Sequence, residues 1–165
     1  MAATSIAQHH DVVIVGSSGY GGELDVQVAA LAAANPRVRW LGHLSDDRRL
    51  FALWQHAGVY FHGHSVGGTN PALVQAMACG APVLARDTVF NREVLSDSGR
   101  FVGPEPDSIS SAVLRLMRSP DEQATLSAAA EQRARLEYSW RSVCDRYEAS
   151  LIAAIEGSRS ARPLS

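Results

Sequence analysis

The sequence predicts an α/β fold with a mostly parallel sheet. Apolar runs of strand length alternate with longer segments of helical periodicity, and glycine or proline stands at most of the boundaries between them. Strands that alternate with helices in this way are joined by crossovers and run parallel. The predicted strands lie at residues 12–15, 38–41, 59–62, 82–85 and 100–102.

The first two strands flank a helix. The β-branched run at 12–15 ends at Gly16 and is typical of a buried strand. A helix is predicted over 23–34, because Asn35-Pro36 stops its periodicity. The strand at 38–41 follows directly.

The middle of the chain repeats the pattern. Ser45 is expected to cap a helix, and an apolar stripe gives that helix a buried face. The stripe consists of Leu50, Phe51, Trp54 and Ala57. After the strand at 59–62, a helix is predicted over 71–79, because Gly80 ends it and Pro82 lies just beyond.

Three helices are predicted after the last strand. Asp107 is expected to cap the first, Ser119-Pro120 opens the second, and Ser139 caps the third. The third helix is predicted to turn four apolar residues inward, namely Val143, Tyr147, Leu151 and Ile155.

These elements predict one domain, at 11–156, between a disordered N-terminus at 1–10 and a flexible tail at 157–165. With 46% apolar and 19% charged residues, the chain has the composition of a soluble globular protein. A net charge of −2 gives no basic excess for nucleic acid or an anionic membrane, and no apolar run is long enough to span a bilayer.

The cysteines and the N-terminus bear on location. Residues 1–8 lack the basic flank and apolar stretch of a signal peptide. Cys79 and Cys144 are widely spaced inside helical patterns, and we interpret them as buried, apolar and reduced. Both observations favour the cytoplasm.

The segment from His64 to Pro71 is the strongest candidate for a binding site. It follows a strand and opens a helix, at the edge of a parallel sheet where ligands bind. Asn70 is predicted as the N-cap and Pro71 as the first helical residue. Backbone N–H groups at the helix N-terminus would suit a phosphate, and Gly67 and Gly68 leave room for a ligand to reach the backbone. A tight turn without a ligand is the alternative from these residues alone.

Two other motifs were weighed against this loop. The glycines from Gly16 to Gly22 lack the G-x-G-x-x-G spacing, and no acidic ribose contact follows the next strand, which argues against a dinucleotide. His62 and His64 are too few for a metal site without a third ligand. Neither a metal nor a cofactor is therefore expected.

The segment GHSVGGTNPALVQAMACGAPVLARDTVFNREVL resembles the donor-binding part of retaining glycosyltransferases of the glycogen-synthase-like group, most of all the bacterial rhamnosyltransferase type. The likeness extends over nearly the whole chain and is most specific in the loop 67–71 and in 90–94. It implies the C-terminal, Rossmann-like half of a two-domain GT-B fold. It also implies a metal-independent transferase that takes a nucleotide-diphosphate sugar as substrate and stabilises the leaving group with helix N-termini and basic side chains.

The resemblance also assigns contacts. The loop 67–70 would meet the sugar and diphosphate, position 75 the ribose, and 42–44 the base, beside the loop that starts at Gly16. The candidate donor-binding residues are therefore Gly16, Gly42, His43, Leu44, His64, Gly67, Gly68, Thr69, Asn70, Pro71 and Gln75. No catalytic residue is assigned.

The chain departs from the family at three points. Two glutamates of the wider family align with Gly67 and Gln75, so both carboxylates are absent. The family's central first strand has no counterpart before residue 12, so the strands at 12–15 and 59–62 should either pair directly or leave the core open. No acceptor domain is present in the sequence.

Two hypotheses follow. The chain is the donor-binding half of a glycosyltransferase, with a deoxyhexose nucleotide such as a rhamnose donor as ligand, inactive without an acceptor domain or a partner chain. Alternatively, it is a non-catalytic module that binds a nucleotide or a partner chain.

Overall fold

A computed structural model describes residues 1–160 and the side chains of residues 1–156. The strands are β1 (Val12–Ile14), β2 (Val38–Trp40), β3 (Tyr60–His62), β4 (Val83–Arg86) and β5 (Arg100–Val102). The helices are α1 (Ala2–Ile6), α2 (Glu23–Ala34), α3 (Asp47–Gln55), α4 (Pro71–Ala78), α5 (Val89–Leu95), α6 (Pro106–Met117), α7 (Pro120–Glu137) and α8 (Trp140–Ser160). A short 3-10 helix at Ser96–Ser98 precedes β5.

All strand pairs are parallel, as the alternation of strands and helices predicts. β1 pairs with β2, with Val12 opposite Val38. β3, β4 and β5 form a second, three-stranded sheet in that order. Helices flank both sheets, and the chain has the predicted Rossmann-like α/β architecture.

β1 and β3 do not pair, so the strands form two sheets instead of one. Of the two outcomes expected for the absent central strand, the structure shows the open one. The sheets stay separate because each strand pairs with a strand to which a crossover helix connects it. In the described chain, no hydrogen bonds join the facing edges of β1 and β3.

The core lies on the three-stranded sheet. The side chains of β4 from Val83 to Ala85 are at most 1% exposed, and α4 and α7 pack against them. The main cluster consists of Leu73, Met77, Val83, Ala85, Val94, Leu95, Ala130 and Ala134. β4 is therefore the central strand of the larger sheet.

The other sheet is thinly covered. Among residues 11–46 only Val38 is buried, and α2 has no buried residue. Val13 and Val15, which the β-branched run predicted to be buried, are 42% and 39% exposed.

The two termini differ from the predictions. Residues 1–10, predicted to be disordered, contain α1, which contacts α6, and Ala7 is buried. At the other end α8 continues through the predicted start of the tail to Ser160, and residues 161–165 lie outside the described residues.

The apolar residues of α8 are exposed, so the prediction that they turn inward is wrong. Tyr147 is 69% exposed and Ile155 54%, and Val143 and Leu151 are exposed as well. Their periodicity gives the helix an apolar face, but the described chain contains nothing that covers it. Cys144 on the same helix is exposed and Cys79 half-buried, so neither is the buried thiol that was expected.

Two helix caps differ from the predictions, and a third agrees. Asp46, and not Ser45, caps α3, and its carboxylate accepts from the N–H groups of Arg48 and Arg49. α6 begins at Pro106, one residue before the predicted cap Asp107. Asn70 caps α4 as predicted.

Candidate functional site

The loop from His64 to Pro71 lies between β3 and α4, at the carboxyl edge of the larger sheet. The Oδ1 atom of Asn70 accepts from the N–H of Ala72 at 3.0 Å, and Pro71 is the first helical residue. The carbonyl of Asn70 accepts from Leu73 and Val74. The first N–H groups of α4 are thus already paired within the chain.

The free donors are in the loop itself. Within residues 1–160, no atom accepts a hydrogen bond from the backbone N–H of any residue from 65 to 69. An anion at this edge would meet those N–H groups first, together with the positive end of α4. We expected the free N–H donors at the N-terminus of α4. The structure has them a few residues earlier instead, in the loop that contains Gly67 and Gly68.

Gly67 and Gly68 leave the surface above the loop open. Gly67 has a φ of +104°, a conformation that side-chain-bearing residues rarely adopt. A Cβ atom at either glycine would meet no atom of the chain within 4 Å. Both residues and Thr69 are exposed, so a ligand could approach the backbone from solvent.

Behind the loop, two histidine rings stack. The ring centroids of His62 and His64 are 4.8 Å apart, and the Tyr60 hydroxyl lies 3.0 Å from Nδ1 of His62. Burial, with a smaller contribution from His64, lowers the pKa of His62 to about 4, so the ring is neutral at pH 7. Burial also raises the pKa of Tyr60 to about 12. Nε2 of His62 is buried and has no hydrogen-bond partner among the described residues.

One buried side chain connects this loop to the neighbouring strand. Asn91, on α5, is 4% exposed. Its Nδ2 atom donates to the carbonyl of His64 at 2.9 Å and to the carbonyl of Arg86, the last residue of β4, at 2.8 Å. These two hydrogen bonds are called the Asn91 bridge below.

The candidate residues on the smaller sheet form a separate group. The N–H of Gly16 donates to the carbonyl of Gly42 at 2.7 Å, and Nε1 of Trp40 donates to the carbonyl of Gly16 at 2.8 Å. His43 is exposed and Leu44 half-buried. The structure thus brings Gly16 and Gly42 together, but within residues 1–160 no hydrogen bond joins this pair to the loop 65–70.

Gln75 lies one turn into α4 and is exposed. In α4, Leu73, Ala76 and Met77 are buried. The other side of α4, with Gln75 and Ala78, is open to solvent. A ligand at the loop could therefore reach the amide of Gln75.

Among the described residues, no group of three or more His, Cys, Asp or Glu side chains could hold a metal ion. A cavity of about 340 Å³ lies between α4 and the end of α7, where Val74, Arg135 and Tyr138 contribute to its wall. It contains no residue of the loop.

The sequence matches the family described as glycosyl transferases group 1 over residues 2–133. The chain belongs to that family. It is 33% identical over 135 residues to a phosphatidyl-myo-inositol mannosyltransferase of Mycolicibacterium smegmatis, covering 79% of this chain and 33% of that protein. It is 26% identical over 126 residues to the O-antigen chain mannosyltransferase B of Escherichia coli, covering 74% of this chain and 33% of that protein.

Solved structures confirm the fold. HepE of Anabaena in complex with UDP superposes with a TM-score of 0.75 at 21% identity, covering 92% of this chain and 44% of HepE. Its complex with UDP-glucose gives 0.76 at 18% identity, with the same coverage. Sucrose-phosphate synthase of Thermosynechococcus elongatus gives 0.71 at 19% identity, covering 92% of this chain and 41% of that one.

The chain spans about a third of the length of the curated relatives it matches. The fold is the C-terminal half of the GT-B type. In the described part of the chain, no helix has the length and apolarity needed to cross a membrane.

Sequence reasoning missed two residues near the site. Asn91 stood in the most specific part of the resemblance but was given no role, although its place after β4 put it at the ligand edge. Asp25 accepts from the N–H and the hydroxyl of Ser18, with Oδ2 2.5 Å from Oγ, and so fixes the loop after Gly16. Those hydrogen bonds lower the pKa of Asp25. In the sequence, an acidic residue in the first turn of α2 was the one indication of this contact.

Proposed function

We propose that this chain is the donor-binding half of a glycosyltransferase that moves a sugar from a nucleotide-sugar to a saccharide acceptor. The observation that carries the proposal is the loop 65–69, whose N–H groups are free and whose glycines leave the surface open. Family membership supports sugar transfer as the reaction class.

The diphosphate would lie over the loop, with the free N–H groups and the positive end of α4 opposite its charge. The metal-independent mechanism implied by the resemblance fits this arrangement, because the donors are backbone groups and not carboxylates that would need a cation. Retention of configuration follows from the same resemblance. The amide of Gln75 would hydrogen-bond ribose hydroxyls in place of a carboxylate.

For the sugar, we propose a deoxyhexose such as rhamnose, on the strength of the motif around Asn70 and Asn91. The curated relatives are mannosyltransferases, and HepE was crystallised with UDP and UDP-glucose. A mannose donor is therefore the first competitor to test, and the panel of bases must include uridine, thymidine and guanosine.

An acceptor domain or a partner chain would complete the enzyme. We propose that the exposed apolar side of α8 belongs to the same assembly, in the cytoplasm.

The test is calorimetric titration of the chain with UDP, dTDP, GDP and their sugars. At least one should bind, and Asn70→Asp should weaken binding at least tenfold, because the new side chain still caps α4 but places a negative charge beside the diphosphate. Ser119→Asp is the matched control, since Ser119 is also an N-cap followed by proline, on α7. Absence of binding across the panel, or equal effects of the two variants, would contradict the proposal.

The second candidate is a non-catalytic module that binds a partner chain. The exposed apolar residues of α8 favour it. Size-exclusion chromatography with an adjacent glycosyltransferase-like chain distinguishes the two. A complex that transfers sugar supports the enzyme, and a complex without transfer or nucleotide binding supports the module.

A further inference from the structure

The loop 65–69 is attached to the protein at its two ends. Its own N–H groups have no acceptor within the described chain, so hydrogen bonds inside the loop do not define its shape. At the far end, Asn70 caps α4. At the near end, the Asn91 bridge holds the carbonyl of His64. Two asparagine side chains thus fix where the loop begins and ends.

Asn91 is suited to this role by its chemistry. Among uncharged side chains, only a primary amide supplies two N–H donors on one atom. Both are used here, one on each of two carbonyls from different segments. This pairing also settles the orientation of the amide, because the oxygen could not donate to either carbonyl. Leucine, of nearly the same size, would leave both carbonyls without this donor.

Asn91 is itself held firmly. Its backbone N–H donates to Oγ1 of Thr88, the N-cap of α5, at 3.1 Å. Val94 and Leu95, later on the same helix, are buried in the core. A displacement of the loop would therefore have to break the bridge or move α5 with it.

We propose that Asn91 is the positioning residue of the donor loop: the Asn91 bridge sets the loop relative to β4 and so places the N–H groups of 65–69 for the diphosphate. This rests on the proposed function. The residue acts through the loop and touches no reacting atom.

The experiment compares Asn91→Leu with Ser127→Ala. Ser127 also donates to a backbone carbonyl across elements, that of Gly80 at 2.6 Å, but at the opposite end of α4. Both variants lose side-chain bonds to backbone carbonyls, so a merely structural role predicts similar behaviour. Where Asn91→Leu fails to fold, Asn91→Ser, which keeps one hydroxyl donor, replaces it.

The ligand is whichever of UDP, dTDP and GDP binds the unaltered chain. Its affinity for each variant is measured well below that variant's melting temperature. We expect Asn91→Leu to bind at least tenfold more weakly and Ser127→Ala to stay within twofold. Equal affinities of Asn91→Leu and the unaltered chain would overturn the proposal, as would equal weakening by both variants.

A second readout needs no ligand. The ¹⁵N order parameters of the Gly67 and Gly68 amides should fall in Asn91→Leu toward about 0.6 or below, and stay unchanged in Ser127→Ala. If the unaltered chain binds none of the nucleotides, the proposed function fails, but the order parameters still test whether Asn91 positions the loop. If the order parameters of Asn91→Leu are then unchanged, the positioning role of Asn91 is overturned as well.

Discussion

The guanidinium of Arg133 on α7 holds the carboxyl end of α5. Its Nε donates to the carbonyl of Val94 at 2.7 Å, and its Nη2 donates to the carbonyl of Glu93 at 2.9 Å. Carbonyls in the last turn of a helix have no partner within the helix, and a cation is well placed to satisfy them. Arg133 thus links α7 to the end of α5.

Replacing Arg133 with alanine should therefore lower stability. We expect the free energy of unfolding to fall by about 1–3 kcal/mol, because two hydrogen bonds to a charged group are lost. Urea denaturation measures this. Arg135→Ala, at an exposed position of the same helix, is the control and should change it by less than about 0.5 kcal/mol. Similar losses in both variants would rule out a specific role for Arg133.

His62 should make stability depend on pH. Its pKa is about 4 in the folded chain, against 6.5 for the ordinary side chain. The unfolded chain therefore binds the proton more readily, so stability is fully present above pH 6.5 and falls as the pH drops toward 4. By pH 5 the loss is about 2 kcal/mol relative to pH 8.

The variant His62→Gln removes this titration. Its stability should fall less steeply than that of the unaltered chain between pH 7 and 5, whatever its absolute value. The measurement is urea denaturation at several pH values, and parallel curves for the two proteins would contradict the prediction.

The two loop glycines should respond differently to alanine. At Gly67 the φ of +104° strains any side chain, so Gly67→Ala should cost about 1–2 kcal/mol of stability. At Gly68 a Cβ atom meets nothing and φ is ordinary, so Gly68→Ala should be neutral within about 0.5 kcal/mol.

The larger variant Gly68→Val tests the ligand. The chain has room for the side chain, so the melting temperature should stay nearly the same while nucleotide binding is lost. Loss of both together would mean that the loop packs more tightly than the structure shows.

The two cysteines should differ in reactivity. Cys144 is exposed, whereas Cys79 is half-buried and burial raises the pKa of its thiol. Because the thiolate is the reactive form, a disulfide reagent at pH 8 should label one thiol quickly and the other slowly. Cys144→Ser should abolish the fast phase alone, and a remaining fast phase would contradict the assignment.

Local patterns predicted the five strands, six of the eight α-helices of the described chain and the start of α4, but neither α1 nor α5. Asn70-Pro71 carries its own cap and fixed φ, so its geometry needs no information from elsewhere in the chain. The contacts of Arg133 and Asn91 could not be predicted this way, because their partners lie 39 and 27 residues away and are backbone carbonyls without any side-chain signature.

Burial was predicted least well. The periodicity of α8 correctly gives an apolar face but does not say what covers it, and Tyr147 is exposed in the described chain. The predicted burial of Val13 and Val15 failed for the same reason. A β-branched run indicates a buried strand only when neighbouring strands are present.

The separation of the two sheets has a consequence for how the molecule opens. Residues 11–46 contribute one buried side chain, whereas β3, β4 and β5 share a continuous core with α4 and α7. Native-state hydrogen exchange should therefore divide the chain into two cooperative units. The N-terminal unit, with β1, α2 and β2, would exchange through a low-energy subglobal opening, while the amides of β4 would exchange only when the whole chain unfolds. The candidate loop belongs to the second unit. It would therefore stay folded during openings of the first unit that separate Gly16 from Gly42.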